Sequence, residues 1–300
     1  MKIYLDCIPC FFRQAIEMAR MAGLNEKKQK KVIDALAGTL PKLSLSVSPP
    51  EVARMVNKIL KKNTRTPDLY AQIKQKSNDV GLRIYDKLKK KVACSKIKLL
   101  TAVEIAIIGN IIDYGAKNHL EVDKELDKLL YEEEQIIKKE NKNIFGFRKF
   151  AYQLQRAKTI LYLADNAGET VFDRVLIEEI KRGDETKEII YAVKEKPVIN
   201  DALIKDALVC GIDKTAEVIS SGSDAPGTVL RLCSKKFLKI YNNADMIISK
   251  GQGNFEALSN SKRPVFFMFI AKCAVIAKKV NSNIGDIVLL YHHSKSRKHN

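Results

Sequence analysis

Tryptophan is absent from this chain of 300 residues, and cysteine, proline and glycine are scarce, at 6, 8 and 14. Without Trp, no ligand box built on indole rings can be argued. The cysteines are too sparse for a disulfide framework, and so few glycines and prolines argue against a loop-rich all-β protein. No apolar run approaches the ~18 residues that a bilayer span needs; the longest, Val265–Ala271, reads as a buried strand. The opening MKIYLDCIPC has no apolar stretch of signal-peptide length. The expectation is a cytoplasmic protein with reduced thiols and no membrane partner.

Acidic residues are outnumbered, 35 Asp and Glu against 53 Lys and Arg, for a net charge of +18. Residues 51–100 hold 14 basic and 4 acidic residues, so the excess is concentrated in the first half. Such a balance suits nucleic acid, an anionic small substrate, or solvated helix faces. Lysines such as Lys27–Lys31 and Lys87–Lys91 punctuate helical patterns, which favours the solvated face. Only Tyr70 and Tyr85 stand among the basic residues of 51–100, too few aromatics for a base-stacking surface.

What is present begins with helical periodicity. Phe11, Phe12, Ala15, Ile16, Ala19 and Ala22 line one face at spacings of three and four. Similar stripes run through 26–40, 50–63, 67–92, 97–117 and 121–140, punctuated by Gly23, Pro41, Pro49–Pro50 and Pro67. Near Lys158 the pattern changes to short apolar runs: Thr159–Ala164, Glu188–Val193, Glu217–Ser220, Met246–Ser249, Val265–Ile270 and Asp286–Tyr291. Most are separated by a helix-sized interval, which predicts an α/β fold around a mostly parallel sheet covered on both faces. The division expected is a helical domain over 1–157, a sheet domain over 158–293 and a disordered tail over 294–300.

Functional groups in such sheets gather at the carboxyl ends of the strands. The first strand ends in Asp165-Asn166-Ala167-Gly168-Glu169 and the second leads to Asn200-Asp201. The third leads into Gly222-Ser223-Asp224-Ala225-Pro226-Gly227, the fourth into Lys250-Gly251-Gln252-Gly253-Asn254-Phe255-Glu256, and the fifth is followed by Lys272-Cys273. Taken alone, any one of these is a helix-capping or tight turn. Together they offer hard oxygen ligands for Mg²⁺ or Mn²⁺ beside lysines and glycine loops suited to phosphate oxygens, which is the make-up of a phosphoryl site. The G-x-G-x-x-G and P-loop patterns of nucleotide-binding folds are missing.

Cys7-Ile8-Pro9-Cys10 falls where the first helix begins, and Gly109-Asn110-Ile111-Ile112-Asp113 interrupts an apolar stretch with two polar groups three apart. The paired thiols suit redox chemistry, half a zinc site, or plain burial. The four histidines, His119, His292, His293 and His299, carry no argument.

With these motifs in order, the chain resembles the damage-control phosphatase family, also known as DUF89, some members of which are called acidic-residue-methyltransferase-like. The paired cysteines resemble its archaeal and bacterial subfamily. The resemblance implies an α/β/α sandwich with a mostly parallel sheet plus an N-terminal helical domain, and metal-dependent hydrolysis of phosphate esters of small metabolites such as sugar phosphates. It places the metal on Asp165, Asn166 and Asp201, as Mn²⁺, Mg²⁺, Co²⁺ or Ni²⁺. It assigns a substrate lysine to Lys272 and the glycine turn to Gly251–Asn254, and it turns Asn110 and Asp113 toward the substrate. Gly168, Lys250, Gly251, Gly253, Asn254 and Glu256 are the further candidates for binding the phosphorylated metabolite. Glu169 and Asp224 are candidates to orient or deprotonate an attacking water; a carboxylate nucleophile is the alternative. Two rival functions remain, a basic nucleic-acid-binding protein and an S-adenosylmethionine-dependent methyltransferase.

Overall fold

The computed structural model describes residues 1–64, 66–109 and 144–293. Three amphipathic helices come first: α1 (Ile8–Met21), α2 (Glu26–Ala37) and α3 (Pro49–Asn63). The stripe read from the first of them is the one it buries, with Phe11, Ala15 and Ala19 inward beside Met18. Asn25 caps α2 by accepting from the Lys28 amide at 3.1 Å. Glu51 folds back to the Ser48 amide at 2.7 Å, which starts α3 at Pro49–Pro50. Met18, Val32, Leu36, Val52, Val56 and Leu60 close these helices into their own apolar cluster.

Helices α4 (Ala71–Cys94), α5 (Lys98–Ile108) and α6 (Phe147–Arg156) follow, then the alternating half of the chain. It runs β1 (Thr159–Leu163), α7 (Glu169–Gly183), β2 (Glu188–Val193), α8 (Ile204–Val209), β3 (Glu217–Ser220) and α9 (Lys235–Asn243). It continues β4 (Met246–Lys250), α10 (Gln252–Leu258), β5 (Val265–Ile270), α11 (Ala274–Val280) and β6 (Ile287–His292). The strands lie in the order β3-β2-β1-β4-β5-β6, parallel except for β6, which runs antiparallel to β5 with Phe266 opposite Tyr291.

Alternation along each strand sends side chains to two faces. Ile160, Tyr162, Ile248, Phe266 and Met268 pack with α4, α5, α6 and α7; Leu161, Leu163, Ile247, Phe267 and Phe269 pack with α9, α10 and α11. The result is an α/β/α sandwich with helices at its N-terminus. The change of pattern at Lys158 marks where β1 begins, but the apolar packing does not divide there, because α4 to α6 share the cluster of the sheet. The stripe at 121–140 and the tail lie outside the described residues. Among the described residues no helix is long and apolar enough to cross a membrane.

After β1 the chain winds toward β2 and β3, and after β4 it winds the other way toward β5 and β6. The crevice beyond the carboxyl ends of β1 and β4 is therefore the topological switch point, where open α/β sheets bind ligands.

Candidate active site

The loops after β1 and β2 are zipped together by their backbones. The Ala202 amide donates to the Asp165 carbonyl at 2.9 Å, the Ala167 amide donates to the Asn200 carbonyl at 2.9 Å, and Asn166 pairs with Asp201 in an antiparallel bridge. This brings Asp165, Asn166, Asn200 and Asp201 to one lip of the switch point. Gly168 turns into α7 with φ +79°, and a Cβ there would lie 2.7 Å from the Ser77 Cβ. Its amide is taken by Asn78 Oδ1 at 2.7 Å, so α4 props the turn from behind and this N–H does not face the cleft.

Asp165 is half-buried at the rim of the cleft, and desolvation first, then the Asp201 carboxylate, pushes its carboxyl up to about 7 against the pull of Lys272, Lys194 and Lys250. Asp201 is answered in part by Lys194, itself buried, at 3.5 Å. Asn166 donates its Nδ2 to Glu169 Oε1 at 2.8 Å and more weakly to Asp165 Oδ2 at 3.3 Å, which leaves Oδ1 as the atom that could hold a cation. One buried carboxylate, one half-buried carboxylate and an amide oxygen form a hard donor set that fits a divalent cation. Among the described residues there is no cluster of three His, Cys, Asp or Glu suited to a metal; here the third donor is an amide.

A cleft of about 760 Å³ opens over these groups. Asp165, Asn166, Asn200 and Asp201 line one side; Gln252, Gly253, Glu256 and Lys272 line another. Glu256 is pushed up to about 7 by burial, against the Gln252 amide that donates to it at 2.9 Å and against the cations around it. The start of α1 adds Cys10, and the residue before it Cys7, to the lining of the cleft, which also includes Cys273. Burial raises the Cys7 thiol, so the helix start does not leave it a ready thiolate.

Several residues singled out from the sequence sit elsewhere. Lys250 is 1% exposed, and its Nζ lies 2.6 Å from Asp173 Oδ1 and 3.3 Å from Glu169 Oε2. Neither Lys250 nor Glu169 lines the cleft; burial pushes Glu169 up to about 8, with Lys250 opposing. Asp224 pairs with Arg54 of α3; burial works upward on its carboxyl, but the guanidinium holds it below the usual range. Asn254 joins three segments: its Nδ2 donates to the carbonyls of Ala164 and Lys250, and its Oδ1 accepts from the Thr228 amide and hydroxyl. Gly251 packs against Asp165. Asn110 and Asp113 lie outside the described residues.

Three residues escaped the sequence reading. Asp173 accepts from Tyr162 and Tyr191, each at 2.7 Å, as well as from Lys250. The signal was there in part, since an Asp one turn beyond Glu169 faces the same way on α7. Lys194, the residue after β2, reaches Asp201. Asn78, mid-helix in α4, holds both Gly168 and Asp206.

An α/β/α sandwich with carboxylates, an amide and a lysine gathered at its switch point belongs to the open α/β proteins, which bind ligands in the crevice beyond the carboxyl ends of the strands. The family described as Damage-control phosphatase ARMT1-like domain matches residues 3–288, and the chain belongs to it. The chain is 36% identical over 299 residues to an uncharacterized protein of Methanocaldococcus jannaschii, covering 96% of this chain and 95% of that one. It is 33% identical over 294 residues to a damage-control phosphatase of Pyrococcus horikoshii, covering 97% and 98%. A damage-control phosphatase of Archaeoglobus fulgidus is 35% identical over 223 residues, covering 74% and 75%. The crystal structure of a DUF89 family protein from Pyrococcus horikoshii matches with a TM-score of 0.86 at 31% identity, over 97% of this chain and 99% of that one.

Proposed function

We propose that the chain is a metal-dependent phosphatase that hydrolyses phosphate monoesters of small metabolites, damaged metabolites among them. The observation that carries this reading is the meeting of Asp165, Asn166 and Asp201 with Lys272 in one cleft at the switch point. Membership of the family, and two relatives named damage-control phosphatase at 33% and 35% identity, support it.

Asp165, Asn166 and Asp201 would hold a divalent cation, Mn²⁺, Mg²⁺, Co²⁺ or Ni²⁺, through two carboxylates and the Asn166 Oδ1. Such an ion, when bound, polarises a phosphoryl oxygen and renders water nucleophilic near neutral pH. Lys272 offsets the charge that the phosphoryl oxygens carry in the transition state. Glu256, whose carboxyl burial pushes up to about 7, donates to or accepts from a substrate hydroxyl. Gln252 and Gly253 form the wall on which the substrate rests. Hydrolysis breaks the ester P–O bond, and the proton lost by water balances the one gained by the leaving oxygen.

The test is a phosphate-release screen over small phosphate monoesters with the parent protein, repeated after chelation and after return of each metal. Activity is expected to disappear on chelation and to return with metal. Undiminished hydrolysis after exhaustive chelation sinks the metal part. Absence of release from every ester, together with calorimetric binding of S-adenosylmethionine, would favour the methyltransferase instead.

A further inference from the structure

A chain of buried polar contacts runs beneath the cleft floor and ends on the amide of Asn166. Tyr162 from β1 and Tyr191 from β2, register partners on neighbouring strands, donate to the two oxygens of Asp173, which is fully buried. Lys250 at the end of β4 donates to Asp173 Oδ1 at 2.6 Å and to Glu169 Oε2 at 3.3 Å. Glu169 Oε1 accepts from Asn166 Nδ2 at 2.8 Å. Three strands and α7 thus converge on one side-chain amide. Such a network is costly unless every member is satisfied, and this one points at a group with no part in the apolar core.

We propose that Glu169 is a positioning residue, held by Lys250 and Asp173, that fixes the Asn166 amide so that its Oδ1 faces the cation site, and that Lys250 is a strut of this chain and makes no phosphate contact. The inference rests on the cation site proposed above. Its physical content is simple. An amide can flip, and a cation needs its oxygen side. A carboxylate can only accept, so Glu169 grips the NH₂ end and settles the choice. Partners that orient metal ligands in this way typically cost ten- to a hundredfold in metal affinity when removed, as an order of magnitude. A general base, by contrast, would have to reach a water in the cleft, and Glu169 is not on its wall.

The experiment measures Mn²⁺ binding to the full chain by calorimetry and, separately, turnover of a small phosphate monoester across a Mn²⁺ titration. Gln at position 169 offers one acceptor to two donors, so either Asn166 or Lys250 faces an N–H. Glu169→Gln is expected to weaken Mn²⁺ about tenfold or more, with most turnover recovered at saturating Mn²⁺. In an Asn166→Ala background, where there is no amide to orient, Glu169→Gln should shift the Mn²⁺ affinity less than about threefold, the mark of residues acting through one another. Unchanged Mn²⁺ affinity with a turnover loss that saturating metal does not repair would overturn the inference in favour of a base. Additive losses in the double variant would overturn it as well. Should Glu169→Gln fail to fold, Glu169→Asp keeps the charge beside Lys250 while drawing the carboxylate back from Asn166, and the same two outcomes decide. Asp201→Ala separates this inference from the reading beneath it. If the parent binds no Mn²⁺, or Asp201→Ala binds it equally well, the cation site itself is wrong and both fall. If Asp201→Ala loses Mn²⁺ and the Glu169 variants do not, only the positioning role falls.

Discussion

Gly251 and Asp165 touch across the switch point so closely that a Cβ on Gly251 would lie 1.9 Å from Asp165 Oδ2 and 2.1 Å from its Cγ. The turn that leaves β4 forms one wall of the slot holding the carboxylate that ends β1. Glycine is required twice over, because the residue also has φ +79°.

Gly251→Ala should therefore act on Asp165 before it acts on anything else. The new methyl cannot share the space, and the backbone is held by the Gly251 amide donating to the Met268 carbonyl at 2.8 Å. Asp165 has to swing away. The expected variant folds with a lowered thermal midpoint and binds Mn²⁺ at least about tenfold more weakly. Calorimetry checks this, and an unchanged affinity would show that Asp165 need not stand where it does to serve the ion.

The acid–base behaviour of Asp165 gives a prediction with a definite sign. Burial and the Asp201 carboxylate raise its carboxyl from 3.8 to about 7 in the cation-free protein. Between about pH 4 and 7 the folded chain thus holds a proton that the unfolded chain has released. The stability contributed by this group is present below about pH 4 and is lost as pH rises through 7. A cation competes with that same proton. The rise in thermal midpoint caused by Mn²⁺ should therefore be larger at pH 7.5 than at pH 5.5, and an equal rise at both would remove Asp165 from the ligands.

Asn254 offers a contrast between scaffold and chemistry. It satisfies the carbonyls of Ala164 and Lys250 and the amide and hydroxyl of Thr228, all buried. Asn254→Ala leaves these groups without their partner and should cost about 2–4 kcal/mol of stability, since each orphaned buried group costs about 1–3 kcal/mol and such losses do not fully add. Denaturant unfolding measures it. A stable variant whose only defect was a raised KM would return Asn254 to the substrate contacts.

These cases also show where the sequence could be read and where it could not. Apolar runs of strand length located the six strands of the described residues to within a residue or two, because a strand covered on both faces leaves a continuous apolar signature. The strand-end rule then put Asp165, Asn166 and Asp201 on a single lip of the sheet, and the loops meet there. Local patterns could not say which way a strand-end side chain goes. Lys250 looks like a phosphate-facing cation until Asp173, 77 residues earlier, draws its ammonium under the floor. Asp224 looks like a base until Arg54, 170 residues earlier, takes it. Asn254 sits in a motif that reads as a ligand contact and spends all its hydrogen bonds on backbone and Thr228. Cys7 and Cys10 reach the cleft only because α1 packs across it, a placement set by its contacts with α2 and α3.

Asp201 and Lys272 should both matter to phosphatase activity, for different reasons. Asp201→Asn preserves shape and one oxygen ligand but removes a negative charge beside Lys194. Its Mn²⁺ affinity should fall, and turnover at limiting metal with it; raising Mn²⁺ should restore part of the loss. Lys272 is an exposed residue on the cleft wall whose amide donates to Gln252 Oε1 at 2.9 Å, a contact that truncating its side chain leaves in place. Lys272→Ala takes away the ammonium charge and leaves the three cation ligands intact. It should raise KM, lower kcat, or both, by roughly one to three orders of magnitude, the scale of a lost charged stabiliser. Added metal has no means of repairing it. A Mn²⁺ titration of each variant beside the parent, at fixed substrate, separates the two. Rescue of Lys272→Ala with no rescue of Asp201→Asn would reverse the roles, and full activity in both variants would move the site away from the ends of β1, β2 and β5 altogether.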